Sequence, residues 1–377
     1  MRTAARFGLL AGWSLALSGA LVIAAEAPAR STPTRPGGAG PVGASGESPA
    51  AAAPAIRKIG RVEHVAVADA ARALGLKLVA QDSGRRVALT GGGVRADLET
   101  DTRDITINGT RVFLGDPVVA VGGQLHVSRV DFERCLTPML RPGHGLAARP
   151  ATRVVLIDPG HGGTDPGKIN TKLGINEKTF TLDVARRVRA LLEKAGHRVV
   201  LTREDDSFVA LPQRAAMASV VRADMFVSIH FNALANDTKT SGVEVYTFAP
   251  RTQRSTNAWG LLEKDDTEDY ASPGNRFDHW NVVLAHALHR RFIGDLRTPD
   301  RGKKLMHLAV LRPLSCPGML IECGFLTSET EARKIATPAY RHQIAGAIAA
   351  GIRDYAATLD GLRLPVLPTP ARTAGGK

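Results

Sequence analysis

The chain has 377 residues, 44% hydrophobic and 23% charged, a balance that suits globular domains and excludes a collagen, a coiled coil or a wholly disordered chain. At ~100–200 residues per domain, that length predicts two domains. The net charge is +13. Its basic residues are spread along the chain and not gathered in one patch, which argues against a nucleic-acid partner and for work near a polyanionic surface.

Residues 1–27 read as a secretory signal. Arg2 and Arg6 form a charged start, Phe7 to Ala24 is mostly apolar, and Ala25-Glu26-Ala27 is a small-residue cleavage pattern. The apolar run approaches the ~20 residues that span a bilayer, but Trp13, Ser14 and Ser18 interrupt it. No later segment is apolar enough to span, so no membrane span is expected after cleavage. The expected destination is outside the cytoplasm, in a periplasm or cell envelope. Residues 28–55 are rich in Pro, Gly, Ala and Ser and are expected to be a disordered linker.

Residues 56–140 predict a small α+β domain. Val67, Ala70, Ala71 and Leu74 share one face of a short helix. Strand-like runs at 104–107 and 111–114 flank Asn108-Gly109, a strong hairpin signal because a type I′ turn needs positive φ at both central residues. Gly122-Gly123 predicts the next turn. His64 and His126 stand alone and read as structural histidines. The stretch INGTRVFLGDPVVAVGGQLHVSRVDFERCL, with the helix before it, resembles in layout the copper-amine-oxidase N-terminal-like domain of exported bacterial proteins. That name implies neither copper nor oxidase activity, and no metal-ligand spacing appears here. The expected role is binding or positioning on the envelope. Residues 141–152 read as a linker.

Residues 153–359 alternate strand and helix patterns, which predicts an α/β fold: a twisted, mostly parallel sheet flanked by helices. Arg153–Ile157 is a buried strand. Asn176 can cap a helix from Glu177 to Ala195, on which Phe180, Val184, Val188 and Leu191 recur on one face before Gly196. Further strands are expected at 198–202, 225–229, 242–246 and 318–321, and helices from Pro212, over 278–293 and over 339–359. Residues 360–377 read as a flexible tail.

Four polar residues fall at informative places. His161 follows the first strand in Asp-Pro-Gly-His-Gly-Gly, Glu177 opens the long helix, and His230 and Glu322 end strands. In open α/β sheets ligands gather beyond the carboxyl ends of strands. Two neutral imidazoles and a carboxylate are the ligand set of an open zinc site with a fourth position left for water. A further carboxylate beside that water can act as general base. Glycines around His161 let the backbone approach such an ion.

The stretches VVLIDPGHGGTDPG, NEKTFTLDVARRVRALLEKAGHRVVLTREDD, LPQRAAMASVVRADMFVSIHFNA, SGVEVYTF and MLIECGFLTSETEARKI follow in order. Together they resemble the zinc-dependent N-acetylmuramoyl-L-alanine amidases of bacterial cell-wall remodelling. The resemblance implies one catalytic Zn2+ held by His161, Glu177 and His230, with Glu322 as the catalytic carboxylate and Asn232 near substrate. It implies peptidoglycan as partner and hydrolysis of the bond between the lactyl group of N-acetylmuramic acid and L-alanine of the stem peptide. A zinc peptidase cutting within the stem or a cross-link, and a non-catalytic wall-binding protein, are the alternatives.

Other features stay outside that pattern. Three cysteines, Cys135, Cys316 and Cys323, are too few for a disulfide framework, though a Cys316–Cys323 pair is conceivable in an oxidising compartment. Segment 248–277 carries an acidic cluster and Trp259. In some relatives a helix inserted near this place blocks the site until a partner removes it, so the resemblance leaves a protein activator open. His286 and His289 read as surface or hydrogen-bonded residues. Arg203 and Arg214 read as residues that pair with carboxylates or shape the sheet edge. Arg301, Lys303 and Lys304 read as a solvated basic face, with contact to peptide carboxylates or anionic wall polymers as the alternative.

Overall fold

The structure, a computed structural model, describes residues 53–257 and 270–367. The expected signal segment, nearly all of the linker after it, the acidic cluster with Trp259, and the last ten residues of the tail lie outside the described residues.

The chain opens with strands β1 (Ile56–Ile59) and β2 (Val62–Ala66), then helix α1 (Val67–Ala73). A meander follows: β3 (Lys77–Gln81), β4 (Arg86–Gly91), β5 (Val94–Glu99), β6 (Asp104–Ile107) and β7 (Thr110–Phe113). Asn108 and Gly109 turn between β6 and β7 with φ of 50° and 80°, the left-handed pair that a tight hairpin requires. Strands β8 (Val119–Val121) and β9 (Gln124–Ser128) return to β2, giving a four-stranded antiparallel sheet in the order β1-β2-β9-β8. Short helices α2 (Arg129–Asp131) and α3 (Thr137–Leu140) close this part.

Strand β10 (Val154–Pro159) starts the α/β part. Its Val155-Leu156-Ile157 run is buried on both faces, as an interior parallel strand demands. A small ladder, β11 (Ile169–Asn170) with β12 (Ile175–Asn176), leads into α4 (Glu177–Lys194). Then come β13 (Arg198–Leu201), α5 (Leu211–Val221), β14 (Met225–Asn232), β15 (Val243–Phe248), α6 (Asp278–Arg291), β16 (Asp300–Met306), β17 (Gly318–Phe325), α7 (Glu329–Ala336) and α8 (Pro338–Gly361). Asn176 holds the cap position of α4 in extended backbone, but its side chain makes no capping bond. The helix start is fixed instead by the Glu177 backbone N–H donating to the Lys168 carbonyl at 2.9 Å.

Strands β13, β10, β14 and β17 run parallel side by side, β15 enters antiparallel to β17, and β16 runs parallel to β15. The sheet does not stop there. Lys303 of β16 pairs with Val112 of β7, so the meander extends the same sheet to eleven strands. Without β7, β16 would be an open edge that invites pairing with another chain. Helices α4, α6 and α8 cover one face, where Val184, Val188, Leu284, Leu288, Ile348 and Ile352 pack on Ile157, Val227, Ile229 and Ile321. Helix α5 and the loop before β17 cover the other, with Ala215, Ala218, Leu311 and Leu314 on Leu156 and Phe226. Each large side chain so buried contributes about 1.5–3 kcal/mol. Val282 of α6 belongs to the core of the N-terminal part, which ties the two parts through one helix. Among the described residues no helix is long and apolar enough to cross a membrane.

Candidate metal centre and active site

Four neighbouring elements deliver the site. Strand β10 ends at Pro159, and Gly160 donates to the Ile229 carbonyl at 3.0 Å. This leaves His161 beside the end of β14. In β14 and β17 the register pairs His230 with Glu322. Glu177, the first residue of α4, reaches across the sheet end from the helix side. His161 Nε2 lies 3.1 Å from Glu177 Oε2, and His230 Nδ1 lies 3.1 Å from Glu177 Oε1.

The donor atoms of His161, Glu177 and His230 all lie within 4.8 Å of one another, the one such cluster of metal-ligating side chains among the described residues. A tetrahedral zinc site with bonds of ~2.1 Å separates its donors by about 3.4 Å, so these residues fit an ion of that kind. Backbone groups orient the carboxylate: the N–H of Lys168 donates to Glu177 Oε2 and that of Phe231 to Oε1, both at 2.9 Å. Two glycines make room. A Cβ on Gly160 would lie 2.2 Å from the His230 ring, and one on Gly167 would lie 2.6 Å from the His161 ring and 2.7 Å from Glu177 Oε2.

His161 carries the strain of this packing. Its φ is 62°, a left-handed conformation that costs a non-glycine residue about 1–2 kcal/mol. Arg214 Nη2 donates to its carbonyl at 2.7 Å, while Arg214 Nη1 bridges Asp158 Oδ1 and the Pro159 carbonyl, each at 2.7 Å. Arg203 donates to the Pro159 and Gly160 carbonyls. The two arginines therefore buttress the loop, with Arg214 meeting the expected carboxylate and Arg203 meeting carbonyls. Asp165 Oδ2 sits 2.8 Å from His161 Nδ1, the outer contact that fixes a ligating imidazole. The sequence reading passed over Asp165, although it stands four residues after His161 in the same motif.

Electrostatics divide the two central carboxylates. Burial alone would raise Glu177, but the hydrogen bonds from His161 and His230 hold it well below the usual carboxylate range. Burial opposes charge on His161 as well, yet Glu177 and Asp165 lift it to about 8. Glu322 goes the other way: burial, then the charges of Glu177 and Glu244, push it well above the usual range. Its Oε2 has no hydrogen-bond partner among the described residues.

Glu244 is a site neighbour that the sequence did not reveal. It pairs with Glu322 across β15 and β17 and is 3% exposed. Lys304 Nζ (2.7 Å), Arg301 Nε (2.8 Å), Asn232 Nδ2 (2.8 Å) and the Tyr246 hydroxyl (2.6 Å) all donate to it. Asn232 thus borders the site with its amide tied to Glu244 and its oxygen accepting from the Ala233 N–H.

Several expectations are corrected. Lys303 and Lys304 are not a solvated face: both are buried, because β16 is an interior strand. His289 is buried and contacts Asp300 at 2.8 Å, but His286 is neither exposed nor satisfied, with both ring nitrogens unpartnered among the described residues. Cys316 and Cys323 are free thiols. They lie in the cores on opposite faces of the sheet, which keeps them apart. His64 and His126 are buried, each with Nδ1 against a nearby backbone carbonyl.

Residues 155–354 match the Amidase_3 family, described as N-acetylmuramoyl-L-alanine amidase. The chain is 32% identical over 255 residues to the N-acetylmuramoyl-L-alanine amidase AmiC of Escherichia coli O6:H1, across 62% of this chain and 60% of that protein. It is 32% identical over 264 residues to AmiC of Neisseria meningitidis serogroup B, across 64% and 62%. The matched region thus spans about 60% of the length of these relatives. Among solved structures, AmiC2 of Nostoc punctiforme aligns at 33% identity over 55% of this chain and 98% of that one, with a TM-score of 0.44. The family match runs from β10 into α8 and contains His161, Glu177, His230 and Glu322. The chain belongs to the N-acetylmuramoyl-L-alanine amidase family of the Amidase_3 type.

Proposed function

We propose that this protein hydrolyses the amide between the lactyl group of N-acetylmuramic acid and L-alanine of the peptidoglycan stem peptide, using one zinc ion held by His161, Glu177 and His230. The observation that carries the reading is the convergence of those three side chains within 4.8 Å, with Glu322 in register beside His230. When bound, the ion supplies a Lewis acid for the scissile carbonyl and activates water near neutral pH.

The chain's own residues supply the rest. Glu322, in register beside His230, would take a proton on Oε2 and return it to the leaving amine, and its raised proton affinity supports that role. Asp165 holds the His161 ring through Nδ1, and Arg203 and Arg214 hold the loop that carries it. Asn232, tied to Glu244, borders the substrate side of β14.

In this reading, residues 1–27 export the protein to the periplasm or cell envelope, 28–55 form a linker, 56–140 position it on the wall, and 153–359 carry the chemistry in wall remodelling. A protein activator acting near segment 248–277 belongs to the same reading. The test is Glu322→Gln. The variant should bind zinc in the wild-type ratio and lose at least about 100-fold in turnover. Full turnover would remove Glu322 from the chemistry.

A further inference from the structure

The floor of the site continues past Glu322. His230 on β14 pairs with Glu322 on β17, and Glu322 pairs with Glu244 on β15. Beyond Glu244 lies β16, where the register to β15 jumps between Asp300 and Lys303. That irregularity sets Arg301 opposite Glu244 and turns its side chain toward the row.

Around Glu244 itself the cations outnumber the carboxylate. Glu244 is one buried carboxylate, and it meets two cations on the same oxygen, Lys304 Nζ at 2.7 Å and Arg301 Nε at 2.8 Å. The Lys304 side chain is 8% exposed and that of Arg301 is 34% exposed. Lys304 therefore neutralises Glu244 from within, and Arg301 is the cation that faces solvent. Two further acids feel the Arg301 charge without hydrogen-bonding to it. Asp237 accepts from Thr240 and the Lys239 N–H, and Glu331 from the backbone N–H groups of Gly242 and Phe325. Among the described residues, the guanidinium makes one hydrogen bond, through Nε, and lies 5.1 Å over the Phe325 ring. It is held in place with its terminal nitrogens left for a ligand. A planar fork so oriented recognises a carboxylate with two parallel hydrogen bonds.

We propose that Arg301 is a specificity-determining residue that binds a free carboxylate on the stem peptide downstream of the scissile amide. The proposal rests on the amidase reading above. Its reach is consistent: the Arg301 side chain comes back from β16 to meet Glu244 on β15, two strand spacings of ~4.8 Å from β14, and an extended peptide at ~3.3 Å per residue covers that in about three residues. The carboxylate is therefore that of the second or third stem residue.

The test compares N-acetylmuramoyl tripeptides with both carboxylates free, the second amidated, or the third amidated, using the full chain loaded with zinc. For the wild type, one of the amidations should lower kcat/KM about 10-fold or more, mainly through KM. In Arg301→Gln that preference should shrink to below about 2-fold, and Arg301→Lys, which keeps the charge but not the fork, should fall between. Each ratio is internal to one variant, so a general loss of structure leaves it unmoved. A preference that survives in Arg301→Gln, or a wild type indifferent to every amidation, overturns the proposal. A wild type that cleaves none of the three, with residues 258–269 deleted as well as present, refutes the amidase reading itself, and the carboxylate proposal with it.

Discussion

Arg214 donates to the carbonyl oxygen of His161 at 2.7 Å, and His161 is held there with φ of 62°. The same guanidinium pairs with Asp158, and both side chains are buried, 3% and 1% exposed. One arginine thus neutralises a buried carboxylate and pins a strained backbone at the proposed metal ligand. Arg214→Met removes both functions. Leaving Asp158 unpaired should cost about 3–5 kcal/mol, read as a lower denaturant midpoint, with weaker zinc retention on dialysis. Unchanged stability and unchanged retention would mean that the loop holds itself.

Gly160 tests the packing of the site by sterics alone. A Cβ there would lie 2.2 Å from the His230 ring, so Gly160→Ala must displace that ring. The expected result is at least about a 10-fold loss of zinc affinity, the scale at which disturbed ligand orientation is felt. Competition against a calibrated chelator measures it. Wild-type affinity in the variant would place His230 outside the ligand set.

His286 should contribute to acid sensitivity. Burial, reinforced by Arg290, His289 and Lys303, pushes it down to about 3, with Asp300 opposing. The unfolded chain takes up this proton near the ordinary histidine value of 6.5, and the folded chain does not. Stability is therefore lost as pH falls from 6.5 toward 3. His286→Leu should flatten that fall, measured as urea midpoints at pH 7 and pH 5. Parallel curves for the two proteins would assign the acid sensitivity elsewhere.

The continuous sheet predicts that the α/β part does not stand well alone. A chain starting at residue 153 loses the β7 partner of β16, the bond from the Arg111 N–H to Asp300, and the bond from Arg103 to the Thr256 carbonyl. It also uncovers Lys303, which is 0% exposed in the whole chain. The expected outcome is aggregation, or a melting temperature lower by more than about 5 °C. A monodisperse fragment with the full-chain melting temperature would show that the joint contributes little.

The sequence made the α/β part legible because its signals are local. Apolar runs mark β10, β14 and β17, and the polar residue in each run lies near the site, although β14 and β17 continue two and three residues past His230 and Glu322, which were expected to end them. The α4 face follows from spacing alone, and Asn108-Gly109 announces its own hairpin. Glu244 was hidden because its partners Arg301 and Lys304 stand 57 and 60 residues away, and only strand register brings them together. Lys303 and Lys304 looked solvated because charge normally marks surface. Their burial follows from β7 joining β16, a pairing that no local pattern announces. The same joint turns two expected domains into neighbours on one sheet.

The most direct test is a digest of purified peptidoglycan sacculi by the zinc-loaded chain, with and without a chelator, read by mass spectrometry. The account predicts intact stem peptides bearing a free L-alanine amine, their release abolished by the chelator and restored by added zinc. Peptide fragments cut within the stem, or release indifferent to the chelator, would contradict it.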